Sequence, residues 1–192
     1  MKMMRSPDVQ YRFIGYFAGL GLLLLSFPLY TNINHIFAQH HGTAPPLAAL
    51  GDRMIKMSLN SQPSPVDLGK DTKITMSLTD ENTGEKIKHV TYRISIGKDG
   101  NTIVSNFFHS HAGDLSILVK NADISASKLS GTFDILTNSY VPDPSGMISI
   151  TGPLFTEPGK YTVDAEIITI DNDKTDLSQP LKYNFTLLTS QK

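Results

Sequence analysis

Two pairs of histidines are the residues of this chain whose type and spacing best suit binding of a metal ion. His40 and His41 are adjacent in "AQHHG", and His109 and His111 lie one residue apart in "NFFHSHAGD". Imidazole nitrogens suit copper, nickel and zinc, and such sites need three or four ligands. The sequence therefore predicts a metal site made of all four residues, provided the fold brings the two pairs together. The alternative is a pair of histidines on a flexible tether and a second pair exposed at a strand end.

The second pair has the spacing of one face of a β-strand. Residues two apart in a strand point to the same side, with Cα atoms about 6.6 Å apart, so both rings can approach one ion. Phe108 then points to the opposite side, and we expect the histidine face to be the more solvated one. "NFFHSHAGD" itself resembles the end of a strand.

The sequence gives little support for cysteine chemistry or for a common class of enzyme. The chain has no cysteine, which excludes disulfides, thiolate zinc sites, cysteine nucleophiles and the blue-copper centre. It contains no G-x-S-x-G, no H-E-x-x-H, no P-loop and no dinucleotide fingerprint. Enzymatic activity stays open, and these observations favour a protein without catalytic activity of its own.

The charge distribution is uneven along the chain. Lys2, Arg5, Asp8 and Arg12 are the charged residues before Tyr30; the rest carries 14 Lys and Arg against 17 Asp and Glu. A net charge of −3 without a basic run cannot neutralise many phosphates. We therefore expect no nucleic-acid partner.

The amino-terminal part predicts insertion into a membrane. Residues 13–30 are uncharged and mostly apolar, and follow a basic segment, residues 1–12. Eighteen helical residues span about 27 Å, close to the thickness of a bilayer core. The basic flank places the amino terminus inside and everything after the span outside. Residues 31–50 then form a tether to an extracytoplasmic domain, residues 51–192.

Cleavage after Ala38 is the alternative to a retained single-pass anchor. It would release a secreted protein that begins at Gln39, with His40 and His41 as its second and third residues. A free amine followed by a histidine at the third position can wrap Cu(II) or Ni(II) in a plane of four nitrogens. Both alternatives export the domain.

The exported domain alternates apolar and polar residues with a period of two, which is typical of half-buried strands. The alternation covers about eight short segments between residues 55 and 187, and no segment after Tyr30 keeps a helical period. "KDGN" at 98–101 predicts a tight hairpin turn, and "TDENTGEK" at 79–86 predicts a longer hairpin loop. The fold predicted is all-β, an immunoglobulin-like or cupredoxin-like antiparallel β-sandwich.

Two short motifs add detail. "EPGKYTV" at 157–163 resembles the tyrosine corner of immunoglobulin-like domains, where a tyrosine hydroxyl bonds to nearby backbone; here the tyrosine is Tyr161. "NFT" at 184–186 is a glycosylation sequon, and Asn184 falls on the outward side of its predicted strand.

The two histidine clusters resemble the copper site of the B subunits of membrane-bound methane and ammonia monooxygenases. That resemblance implies a cupredoxin-like β-sandwich with a histidine near the processed amino terminus, as in "AQHHG", and an H-x-H pair, as in "FHSHAG". It would make His40 or His41, together with His109 and His111, copper ligands. Residues 100–190 are also similar to small exported β-sandwich proteins of ammonia-oxidising archaea.

These observations predict a membrane-anchored, outward-facing β-sandwich. We expect it to be a non-catalytic binding or accessory subunit of a membrane complex, with copper as the candidate cofactor and other membrane subunits as partners. The alternatives are a secreted copper-binding carrier and a copper-bearing component of a membrane monooxygenase.

Overall fold

The computed structural model describes residues 48–50, 53–171 and 175–190, and these residues form an all-β protein with no helix. The first sheet has the strand order β1-β2-β3-β6-β10-β7. Its strands are β1 (Ala48–Leu50), β2 (Arg53–Gln62), β3 (Thr72–Asp80), β6 (Asp114–Asn121), β10 (Ile148–Gly152) and β7 (Lys128–Ser130). The second sheet has the order β12-β11-β4-β5-β9-β8. Its strands are β12 (Thr175–Leu188), β11 (Lys160–Ile170), β4 (Val90–Lys98), β5 (Asn101–Ser110), β9 (Ser139–Val141) and β8 (Thr132–Asp134).

The period-two alternation builds one hydrophobic core from both sheets. In β3 every second side chain is buried from Thr72 to Asp80, and β2 and β11 alternate in the same way. The buried cluster combines residues of the first sheet, such as Met57 and Met76, with residues of the second, such as Ile94 and Val163. The prediction of an all-β fold is thus confirmed, and the two sheets are compatible with a β-sandwich.

The sheets are not antiparallel throughout. β10 pairs with β6 in parallel, and β9 pairs with β5 in parallel at Phe108 and Tyr140. The loop at 79–86 closes as the predicted hairpin, because Thr79 pairs with Lys86 in an antiparallel bridge and the Asp80 amide donates to the Glu85 carbonyl at 2.9 Å. This loop lies between β3 in the first sheet and β4 in the second. It therefore carries the chain from one sheet to the other.

The tyrosine corner forms as its motif predicts. The hydroxyl of Tyr161 donates to the carbonyl of Glu157 at 3.1 Å, and the side chain is buried against Phe155. Asn184 is exposed, as predicted, and its amide donates to Asp164 Oδ1 at 2.6 Å.

A tight hairpin joins β4 to β5 and determines where the histidines lie. Asp99 and Gly100, the two turn residues, both have positive φ, at 51° and 80°. This is the primed turn that the Asp-Gly pair predicts. Immediately after the turn the pairing shifts by one residue, because Gly97 pairs with Thr102 whereas Ile96 pairs with Val104. Ile103 is therefore the extra residue of a β-bulge.

Gly97 permits this bulge because it has no side chain. A Cβ atom at this position would lie 2.8 Å from the carbonyl oxygen of Asn101, closer than packed atoms tolerate. The hairpin therefore requires glycine here for close approach of the two strands.

The predicted anchor at 13–30, most of the tether and both His40 and His41 lie outside the described residues. Within the described part, no helix is long and apolar enough to cross a membrane.

Candidate metal site

His109 lies near the end of β5 and is completely buried, at 0% exposure. Its Nδ1 is 3.0 Å from the hydroxyl of Thr91, the residue opposite it on β4. Burial of His109 corrects the expectation that the histidine face is the more solvated one. Alternation assigns His109 to the side of the strand away from Phe108, but Thr91 on that side is buried as well.

Asp134, at the end of β8, interacts electrostatically with His109. Hydrogen bonds from the Leu136 amide and the Thr137 hydroxyl lower the pKa of the Asp134 carboxyl, and an electrostatic interaction with His109 adds a smaller effect in the same direction. The β8–β9 segment that carries this aspartate is thus close to the histidine.

His111 follows the end of β5 and is exposed. Its ring centroid lies 4.5 Å from that of His109, and its Nδ1 lies 3.2 Å from His109 Nε2. The prediction that these two rings converge on one side of the strand is confirmed.

The third member of the cluster is His89, which the sequence analysis missed. His89 directly precedes β4, is partly buried and has a φ of 51°. Its amide donates to the carbonyl of His111 at 3.4 Å, and its Nδ1 lies 3.3 Å from His111 Nδ1. The three rings therefore cluster around His111.

The β-bulge explains why His89 joins the cluster. A regular hairpin that continued the pairing of Lys98 with Asn101 would place His89 opposite Ser110 and so on the other side of the sheet. The bulge shifts the register so that Val90 pairs with Ser110, which leaves His89 opposite His111. Residues directly opposite each other in an antiparallel pair share a face, so His89 turns toward the histidine pair.

The spacing of the ring nitrogens fits a bound ion. One nitrogen from each of His89, His109 and His111 lies within 4.8 Å of the others, and two of the contacts are 3.2 and 3.3 Å long. Two nitrogens held tetrahedrally by one ion at 2.0–2.1 Å are about 3.3–3.4 Å apart. Two of the three nitrogen–nitrogen distances therefore match those between ligands of one tetrahedral ion, and both involve His111 Nδ1.

Hydrogen bonding alone does not satisfy this arrangement well. A ring nitrogen offers either one proton or one in-plane lone pair, yet His111 Nδ1 faces both His109 Nε2 and His89 Nδ1. One proton cannot serve both contacts, and one lone pair shared by two donors gives poor geometry. A cation accepts a lone pair from each ring and removes this conflict.

Of the four residues predicted to bind metal, the structure brings His109 and His111 together and adds His89. The positions of His40 and His41 fall outside the described residues, so their part in the site stays a prediction.

The chain matches no protein-family model and no curated protein. The resemblance to the monooxygenase B subunits likewise stays a prediction. Fold and site together define an all-β protein with a three-histidine cluster that can hold a metal ion.

Proposed function

We propose that this chain is an exported β-sandwich that binds one transition-metal ion through His89, His109 and His111. Its role is that of a non-catalytic binding or accessory subunit at a membrane. The observation that carries the proposal is the convergence of three ring nitrogens, with contacts of 3.2 and 3.3 Å, on one side of the second sheet.

The ligand set favours ions of intermediate softness. Three neutral imidazoles without thiolate or carboxylate suit Cu(II), Zn(II) and Ni(II) rather than magnesium or calcium, which prefer oxygen. Three protein ligands leave a fourth position for water or another group. Copper, the ion implied by the monooxygenase resemblance, belongs to this set.

Thr91 supports the proposal because it contacts the ring nitrogen of His109 that does not face His111. Metal-binding histidines usually hydrogen-bond through their second ring nitrogen, which fixes the tautomer and the ring orientation. Thr91 Oγ1 stands 3.0 Å from His109 Nδ1. When Nδ1–H donates to this hydroxyl, the Nε2 lone pair is left to face the ion.

The absence of a catalytic motif favours a binding role over a reaction, and residues 13–30 favour a membrane location. The finer fold assignment, immunoglobulin-like or cupredoxin-like, is supported by the Tyr161 corner.

A secreted copper carrier is the second candidate, favoured by "AQHHG" if cleavage follows Ala38. Amino-terminal sequencing of the native protein distinguishes them, because the anchored form keeps residues 13–30 and the carrier begins at Gln39.

Isothermal titration of untagged full chain with Cu(II) and with Zn(II) tests the metal site. His111→Ala is the informative variant, because His111 is exposed and its loss should leave the fold intact. We expect one equivalent of at least one of the two ions to bind the wild type, and affinity to fall at least tenfold in His111→Ala, in line with the loss of one of three ligands. His35→Ala is the control and should bind as the wild type does. Equal binding by His111→Ala and wild type would contradict the proposal.

A further inference from the structure

The hairpin formed by β8 and β9 exposes two large aliphatic side chains at its tip. The turn comprises residues 135–138, in which Ile135 is 85% exposed and Leu136 is 95% exposed. Two adjacent, highly exposed aliphatic side chains form an apolar patch on the surface. Exposed apolar patches mark sites of contact with a membrane or a partner protein.

Aromatic residues lie directly behind this tip. Phe133 is 49% exposed and packs edge-to-face on Tyr140, its partner across the hairpin, at a centroid distance of 5.3 Å. The surface thus changes from aliphatic at the tip to aromatic one step behind it.

Charge is almost absent from this part of the chain. From residue 129 to residue 142 the one charged side chain is Asp134. Its carboxylate turns back into the hairpin and accepts hydrogen bonds from the Leu136 amide and the Thr137 hydroxyl, both at 3.0 Å. The tip therefore presents no free charge that would oppose entry into an apolar phase.

We propose that the β8–β9 hairpin tip inserts into the interfacial layer of a lipid bilayer. Aliphatic side chains at the deepest point with aromatic rings behind them match the order in which interfacial residues meet a membrane. Protein interfaces instead concentrate aromatic residues and arginine at their core, and this hairpin has no arginine. The absence of basic residues points to a zwitterionic rather than an anionic lipid surface.

The proposed function, on which the inference rests for its lipid source, supplies a second argument for a lipid occupant. Residues 13–30 are predicted to lie in a bilayer, and residues 31–47 connect them to β1. A retained anchor at residues 13–30 would raise the local concentration of lipid seen by a weak insertion site.

Tryptophan fluorescence tests this proposal cleanly because the chain contains no tryptophan. Full-length Leu136→Trp is reconstituted into phosphatidylcholine vesicles, with and without lipid brominated near the glycerol end of its acyl chains. The control is Asn82→Trp, at an exposed position in the loop after β3. Both substitutions are at exposed sites, and an unchanged circular dichroism spectrum verifies that each variant is folded.

We expect emission from Trp at 136 to shift to shorter wavelength, to lose intensity with brominated lipid and to resist iodide. Trp at 82 should show none of these effects. Adding Ile135→Ser should weaken insertion roughly tenfold, the effect of removing one buried aliphatic side chain, and so restore much of the emission. Equal behaviour at 136 and 82 would overturn the proposal. A blue shift without bromine quenching would also overturn it, because the occupant would then be protein rather than lipid.

Discussion

Replacement of Tyr183 by phenylalanine should weaken the link between the two sheets. The Tyr183 hydroxyl, on β12 of the second sheet, donates to the carbonyl of Ile55, on β2 of the first sheet, at 3.0 Å. Both side chains are buried. The net value of a buried hydrogen bond is about 0.5–1.5 kcal/mol, and a buried acceptor left without its donor costs about 1–3 kcal/mol. We therefore expect Tyr183→Phe to lower the free energy of unfolding by about 1–3 kcal/mol.

Tyr92 provides a matched control in the same core. Its side chain is as deeply buried as that of Tyr183, but its hydroxyl has no hydrogen-bond partner within the part of the chain that the structure describes. Tyr92→Phe removes a buried polar atom that lacks a partner, so its effect should be neutral or stabilising.

Equilibrium unfolding in urea at pH 7, followed by circular dichroism, measures both effects under one condition. The reasoning requires a lower midpoint for Tyr183→Phe, with unchanged slope, and an equal or higher midpoint for Tyr92→Phe. If Tyr92→Phe cost more than Tyr183→Phe, the hydrogen-bond assignment across the sheets would be wrong.

Three further predictions concern the bulge, alkaline pH and the metal. Gly97→Ala should lower the free energy of unfolding in urea by about 1–3 kcal/mol, because the new methyl group would lie 2.8 Å from the Asn101 carbonyl oxygen. The same change should weaken metal binding, because it displaces His89. An unchanged urea midpoint would contradict this reasoning. Burial raises the pKa of Tyr183 to about 12 from 10.0. The stability that the protonated Tyr183 hydroxyl contributes is therefore complete below pH 10 and is lost as pH rises through about 12. Urea midpoints between pH 9 and 12 should fall accordingly, and less steeply in Tyr183→Phe. Zinc or copper at 100 times its dissociation constant should add about 2.7 kcal/mol to the free energy of unfolding, an increase that chelator should reverse and that His111→Ala should lack.

Much of the fold follows from local signals in the sequence. Apolar alternation identified the buried face of β2, β3 and β11, because a half-buried strand must place every second residue in the core. Asp99-Gly100 identified the hairpin, because few other residue pairs accept positive φ at both positions. Tyr161 identified the corner for a similarly local reason. The parallel pairs, β6 with β10 and β5 with β9, depend on long-range topology that alternation does not encode.

Two of the three histidines in the described metal cluster were visible in the sequence and the third was not. His109 and His111 share a strand face, which spacing alone reveals. His89 reaches the same face only because the bulge at Ile103 shifts the register by one residue. Gly97 beside the Asp-Gly turn was the available signal, since glycine within a strand often marks a bulge. The burial of His109 and the exposure of the apolar hairpin tip depend on long-range packing, so neither could be deduced from local pattern.

The most direct test of the account is the set of histidines that holds the metal. Copper and zinc retained per protein after dialysis should be compared for untagged full-length wild type, His89→Ala and the double variant His40→Ala/His41→Ala. We predict that wild type and the double variant retain the ion and that His89→Ala loses most of it, because His89 completes the described cluster. Retention by His89→Ala together with loss from the double variant would contradict the account and assign the site to the amino-terminal pair.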